Sequence, residues 1–208
     1  MYNYIAVSGT IGAGKTELAG ILSHRLNKHL ILEEFASNPF LAKFYQEQER
    51  YAFPLEISFL FERFQQLKTS FAKADIFSPG FVSDYFFDKS YLFAKHNLRD
   101  DQFSVFLSLF NAFREQLAAP DLLLYLHRPL EVLLKNIRNR GRAYELNISY
   151  DYLNDIQSLY MEYLKSLNGL RVLILRLEDH DFFDGQLFEE IVGLCTEKHD
   201  AGVRIIEL

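Results

Sequence analysis

Gly9-Thr10-Ile11-Gly12-Ala13-Gly14-Lys15-Thr16 stands directly after the apolar run Tyr4-Ile5-Ala6-Val7 and directly before Glu17-Leu18-Ala19-Gly20-Ile21-Leu22. A short strand, a glycine loop and a helix in that order fit the P-loop pattern. The glycines let successive backbone N–H groups turn inward around a polyphosphate, and the N-terminus of the following helix adds the positive end of its dipole. In this reading every residue from Gly9 to Thr16 belongs to the phosphate cradle. Lys15 reaches the β- and γ-phosphates, and the Thr16 hydroxyl holds Mg²⁺. The stretch therefore implies a bound nucleoside triphosphate with its metal, on an α/β scaffold. By itself it does not specify a reaction.

Working outward, short apolar runs recur at Leu30-Ile31-Leu32, Phe81-Val82-Ser83, Leu122 to Leu126 and Val172 to Leu175, separated by stretches with helical spacing. Leu18, Ile21, Leu22 and Leu26 form one such stripe, and Ile57, Leu60, Phe64, Leu67 and Phe71 another. Asn38-Pro39 is expected to open a helix, Pro54 to start a longer one, and Leu187 to Cys195 to form the last clear one. The alternation predicts an α/β P-loop NTPase fold with a five-stranded parallel sheet flanked by helices, with no strand assigned to the tail from Val203 to Leu208. Ligands of such sheets bind beyond the carboxyl ends of the strands. Those ends carry the glycine loop, Glu33-Glu34 and Asp84, so three polar features far apart in sequence are expected to share one cleft.

The bulk properties narrow the class. At 208 residues the chain is expected to be a single domain over 1–208, with 49% hydrophobic and 24% charged residues, as in a soluble globular protein. No apolar run approaches the ~18 residues of a membrane span. The chain starts straight into a strand, so no signal peptide is expected, and the single cysteine, Cys195, fits a reducing cytoplasm. The net charge of −6 argues against a nucleic-acid polymer as partner, because phosphate backbones are held mainly by basic surface.

Three features beyond the loop bear on chemistry. Glu33, at the end of the second strand, suits a general base that accepts the proton of an acceptor hydroxyl, or else a solvated strand-end acid. Asp84, at the end of the third, suits Mg²⁺, directly or through water, or the N-cap of a helix starting near Phe86. Lys135, Arg138, Arg140 and Arg142 cluster around Gly141 in an otherwise acidic chain. Arg140 and Arg142 read as a lid that closes over transferring phosphate; Lys135 reads as a solvated residue at a helix end.

With these residues in place the chain resembles the deoxynucleoside kinases of the P-loop kinase superfamily, over nearly its whole length. Leu32-Glu33-Glu34-Phe35 followed by Asn38-Pro39-Phe40-Leu41 and Phe44-Tyr45 is similar to that family's Glu-Pro-Val segment and tyrosine-bearing helix, and Arg140-Gly141-Arg142-Ala143-Tyr144-Glu145 resembles its Arg-Gly-Arg-x-x-Glu lid, here about 138–147. The resemblance implies transfer of the γ-phosphate of MgATP to the 5′-hydroxyl of a deoxynucleoside, in nucleotide salvage. It implies Glu33 as base, Tyr45 and Glu145 at the sugar 3′-hydroxyl, Phe93 stacked on the base, and Arg140 and Arg142 on the phosphates. The helix with Glu56 and Arg63 would meet the base, and Asp181-Phe182 would lie against the adenine of ATP. It also implies a homodimer, through the helices after the third strand and after the lid.

Three departures from the family stand out. Asp84-Tyr85-Phe86 replaces Asp/Glu-Arg-Ser, Asn136 replaces a lid-helix arginine, and Glu56 replaces the glutamine that reads the base edge. A carboxylate only accepts hydrogen bonds, whereas guanine offers two adjacent donors. Glu56 therefore points to a purine deoxynucleoside, with Lys89 expected either to neutralise Glu56 or to donate to the base. Two rival readings share the loop. A thymidylate-type nucleoside monophosphate kinase would need cations where Glu33-Glu34 and Tyr85 stand. A nucleotide-binding regulatory protein would lack an acceptor; the Asp-x-x-Gly turn of GTPase switches is missing, and Asn27-Lys28-His29-Leu30 lacks the terminal acid of their base reader.

Overall fold

The computed structural model describes residues 2–34, 38–73, 79–179, 182 and 185–208. Among the described residues the α-helices and strands are, in chain order, β1 (Tyr4–Gly9), α1 (Lys15–Arg25), β2 (His29–Ile31), α2 (Leu41–Phe44), α3 (Gln48–Ala72), β3 (Phe81–Ser83), α4 (Lys89–Asn97), α5 (Asp100–Arg114), β4 (Leu122–His127), α6 (Leu130–Arg140), α7 (Tyr150–Ser166), β5 (Arg171–Arg176), α8 (Gly185–Thr196) and β6 (Gly202–Glu207). The strands form one sheet in the order β2-β3-β1-β4-β5-β6, and every pairing is parallel.

Side chains alternate along the central strands and build a core on each face. Ala6, Leu123, Tyr125 and Ile174 pack with α3, α4, α5 and α7 on one side. Ile5, Val7, Leu124 and Leu173 pack with α1, α6 and α8 on the other. Burial on both faces explains why β4 reads as an unbroken apolar run. Cys195 lies in the second core, where desolvation pushes its thiol up to about 12.

The sheet has six strands where five were expected. β6 runs along the edge beside β5, from Gly202 opposite Arg171 to Glu207 opposite Arg176. Its side chains are half-buried or exposed, with Val203 packed against one core and Ile206 against the other. Two helix starts also differ. Asn38 makes a turn in which its side-chain oxygen accepts from the Phe40 N–H at 3.0 Å, and only the single turn of α2 follows. The long helix α3 begins at Gln48, with Pro54 inside it. Ala52 is buried together with Leu55 and Phe59, so the packing face runs across the proline, and tertiary burial outweighs the one intrahelical bond that proline removes.

β1 is the point where the strand order reverses, since the chain leaves it first toward β3 and β2 and later toward β4. The crevice beyond its carboxyl end is where ligands of open α/β sheets bind.

Candidate active site

The glycine loop connects β1 to α1, with Gly14 in a left-handed conformation as the residue before the helix. Gly12 has φ +86°, and a Cβ there would stand 2.6 Å from the Leu133 carbonyl oxygen; at Gly14, with φ +90°, it would stand 2.7 Å from the Phe182 ring. Both positions therefore require glycine. The Ala13 N–H donates to the Thr10 carbonyl at 3.2 Å, and Lys15 Nζ donates to the same carbonyl at 2.9 Å. Burial, helped by the nearby charge of Lys89, brings the Lys15 ammonium down to about 7.

Three chain segments meet at Asp84. Its Oδ2 accepts from Thr16 Oγ1 at 2.6 Å and its Oδ1 from the Glu33 N–H at 2.7 Å. Asp84 caps no helix, because α4 starts at Lys89. Burial raises its pKa, and the hydrogen bonds from Thr16 and Glu33 oppose the rise. A hydroxyl beside a carboxylate is a hard oxygen donor pair that suits Mg²⁺. Among the described residues no group of three or more His, Cys, Asp or Glu could hold a metal by itself.

Glu33 lies at the centre of a buried ion cluster. Arg63 Nη2 approaches its Oε1 at 2.6 Å, and Lys89 Nζ approaches its Oε2 at 2.7 Å. Desolvation alone would raise the carboxyl pKa, but the charges of Lys89 and Arg63 outweigh it and hold Glu33 well below the usual carboxylate range. Arg63 also donates to Ser90 Oγ at 2.7 Å. Glu33 is thus an ionised, fixed group rather than a solvated strand end. Lys89, expected from the sequence to neutralise Glu56 or to donate to the base, pairs instead with Glu33. Tyr85 itself is buried and donates its hydroxyl to Gln66 Oε1 at 2.7 Å.

One cleft is lined by Lys15, Thr16, Glu33 and Asp84 at its phosphate end, by Tyr45, Glu56, Arg63 and Phe93 farther in, and by Arg140, Arg142 and Glu145 from the lid side. Glu145 is buried and accepts from Arg140 and, at 3.4 Å, from Arg142. Tyr45 stacks on Tyr144 of the lid, with ring centroids 6.1 Å apart. A neighbouring cavity on the other side of the loop is lined by Gly12, Gly14, Arg128, Asn136 and Phe182. Asn136 Nδ2 donates to the Gly12 carbonyl at 2.9 Å and ties the lid helix to the loop. Lys135 pairs with Asp179 at the surface. Asp181 lies outside the described residues.

Sequence reading missed several residues. Arg128 is buried; its Nε donates to the Ala13 carbonyl at 3.2 Å, and its guanidinium lies 4.9 Å from the Phe182 ring centroid. A cation directly after a buried strand could have signalled it. Asn97 and Tyr152 line the inner cleft. No local motif marks them, because they approach Glu56 only through the crossing of α3, α4 and α7.

The family model for deoxynucleoside kinases matches residues 5–198. The chain is 37% identical over 206 residues to a deoxyadenosine/deoxycytidine kinase of Bacillus subtilis (strain 168), covering 94% of this chain and 93% of that one. It is 32% identical over 202 residues to a deoxyguanosine kinase of the same organism, covering 93% and 96%. A solved structure of a deoxyadenosine kinase from M. mycoides with bound dATP superposes with a TM-score of 0.77 at 21% identity, covering 93% of this chain and 99% of that one. This last likeness concerns the fold alone.

Proposed function

The chain belongs to the deoxynucleoside kinase family and is an ATP-dependent kinase of deoxynucleosides, and from that premise we propose that its cleft transfers the γ-phosphoryl group to the 5′-hydroxyl of purine deoxynucleosides, with Glu33 as the base. The observation that carries this reading is the seating of Glu33. Both its oxygens are oriented by Arg63 and Lys89, and its backbone is joined through Asp84 to Thr16 of the phosphate loop. Acceptor and donor groups are therefore positioned by one hydrogen-bonded unit.

The mechanism follows from position and charge. Lys15 and the loop N–H groups hold the donor phosphates, while Arg140 and Arg142 balance the charge spread over the transferring group. Thr16 and Asp84 would hold Mg²⁺, which supplies further neutralisation of phosphate charge. Glu33 accepts a hydrogen bond from the 5′-hydroxyl, aligns its oxygen in line with the γ-phosphorus and takes the proton. The low pKa of Glu33 is compatible with this role, because in a loose transition state the hydroxyl proton leaves late and alignment matters more than basicity. Tyr45 and Glu145 are assigned to the sugar 3′-hydroxyl, Phe93 to the base, and Phe182 to the adenine of ATP.

Two relatives, one acting on deoxyadenosine and deoxycytidine and one on deoxyguanosine by name, support a purine as substrate. Exposed Val105 and Leu109 on α5, a helix after the third strand, support the homodimer expected through the helices after the third strand and after the lid. Sedimentation tests that pairing, a monomer at micromolar concentration being the contrary result. For the activity, the test is ADP release from MgATP in the presence of deoxyguanosine, deoxyadenosine, deoxycytidine or thymidine. Stimulation by the purines is expected; a clear pyrimidine preference would remove the purine assignment.

A further inference from the structure

Glu56 projects from the middle of α3 into the inner cleft, where the described residues satisfy only half of its carboxyl group. Asn97, at the end of α4, donates its Nδ2–H to Glu56 Oε1 at 2.7 Å. The Tyr152 hydroxyl approaches Asn97 Oδ1 at 3.4 Å from α7, which fixes which way the Asn97 amide faces. Glu56 Oε2 is buried and, among the described residues, has no hydrogen-bond partner. Glu56, Asn97 and Tyr152 all line the cleft assigned to the deoxynucleoside.

A buried carboxyl oxygen without a partner is costly and must be satisfied by whatever fills the site. It can be satisfied in two ways. As an ionised carboxylate, Glu56 offers acceptors only, the complement of the adjacent N1–H and 2-amino donors of guanine. With a proton on Oε2, the same carboxyl offers one donor beside one acceptor, as glutamine does. That form complements the amino group and ring nitrogen of adenine, and equally those of cytosine. Building on the proposed function above, we infer that Asn97 and Glu56 form a base-reading pair in which Asn97 occupies Oε1 and Glu56 Oε2 selects the substrate, taking adenine when it carries a proton and guanine when it does not.

The surroundings keep both forms accessible. The strongest influence on Glu56 is burial, which raises its pKa to about 7. The Asn97 hydrogen bond and the charges of Arg63 on α3 and Lys89 on α4 oppose the rise, and Glu33 after β2 adds to it. Both cations are already paired with Glu33, so neither neutralises Glu56. From α7 the neutral Tyr152 faces it, with His96 against the far side of that ring. Across the cleft stand Tyr45 and the lid's Glu145 with its partners Arg140 and Arg142.

The test is the ratio of kcat/KM for deoxyguanosine to that for deoxyadenosine, read from about pH 6 to about pH 8 and accompanied by calorimetric Kd values for both nucleosides. Taking a ratio cancels titrations in the shared phosphate site, including that of Lys15. The ratio is expected to rise at least tenfold across the range, approaching about a hundredfold if each base takes only one form. Glu56→Gln should give a ratio that favours deoxyadenosine and does not change with pH. Asn97→Leu should move the midpoint of the pH profile of the calorimetric Kd for deoxyguanosine upward by about one pH unit, since it removes a hydrogen bond that favours the ionised form. A wild-type ratio that changes by less than about threefold, or that falls, would overturn the inference while leaving the kinase reading intact. An unmoved midpoint in Asn97→Leu would overturn the role of Asn97. Absence of binding by either nucleoside would overturn the base-reading site itself, and with it the purine assignment.

Discussion

Glu56→Gln should stabilise the protein, and by an amount that grows with pH. The folded-state pKa of Glu56 is raised from 4.5 to about 7, chiefly by burial. For a group raised in this way, its contribution to stability is fully present below the unfolded-state value and is lost as the pH climbs through the folded-state value. At about 1.4 kcal/mol per unit, the complete rise corresponds to about 3 kcal/mol, as the folded protein comes to bury an ionised carboxylate that the unfolded chain keeps in water. About 2 kcal/mol of this develops between about pH 5.5 and pH 8, where the denaturation can be measured. Glutamine keeps an oxygen to accept from Asn97 and carries no charge. The variant should therefore gain about 2 kcal/mol on wild type over that interval, or about 4–8 °C in Tm for a chain of this size. Urea unfolding of both proteins at the two pH values reads the difference. A stability gap that does not change with pH would refute the reasoning, because it would mean that Glu56 has the same charge throughout the range.

Two further outcomes follow from the phosphate end of the cleft. Lys89→Met leaves Glu33 with Arg63 alone and removes a cation from the cleft, so kcat at saturating MgATP should fall about a hundredfold; unchanged turnover would assign Lys89 a packing role only. Lys15, brought down to about 7 by burial and by Lys89, should regain its proton when phosphate binds. ATP binding at about pH 8 should then take up protons, which titration calorimetry in two buffers of different ionisation enthalpy detects, and zero uptake would place the phosphates away from Lys15.

How far the sequence could be read depended on whether a feature is local. The glycine loop is legible because its strand, glycines, lysine and helix are contiguous, and the lid because its arginines and Glu145 fall within a few residues. Strand order explains why Glu33 and Asp84, 51 residues apart, could be expected together. The partners of the charges were not legible. Lys89 meets Glu33 only because α4 crosses α3 beside the end of β2, and Asn97 reaches Glu56 across 41 residues through the same crossing. Spacing along one helix placed Glu56 and Arg63 on one side, yet Arg63 turns to Glu33. β6 escaped detection because its short apolar run, Val203 to Ile206, lies at the chain's end as a half-exposed edge strand, and Pro54 suggested a helix start that burial of Ala52 overrides.

The central claim is that Glu33 activates the acceptor hydroxyl in a cleft whose donor half is separately built. Single-turnover and steady-state kinetics of Glu33→Gln, set against its ATP affinity, address that claim most directly. kcat should fall about a hundred- to ten-thousand-fold while the Kd for MgATP stays within a few-fold of wild type. Turnover close to wild type in a variant that binds MgATP normally would contradict it.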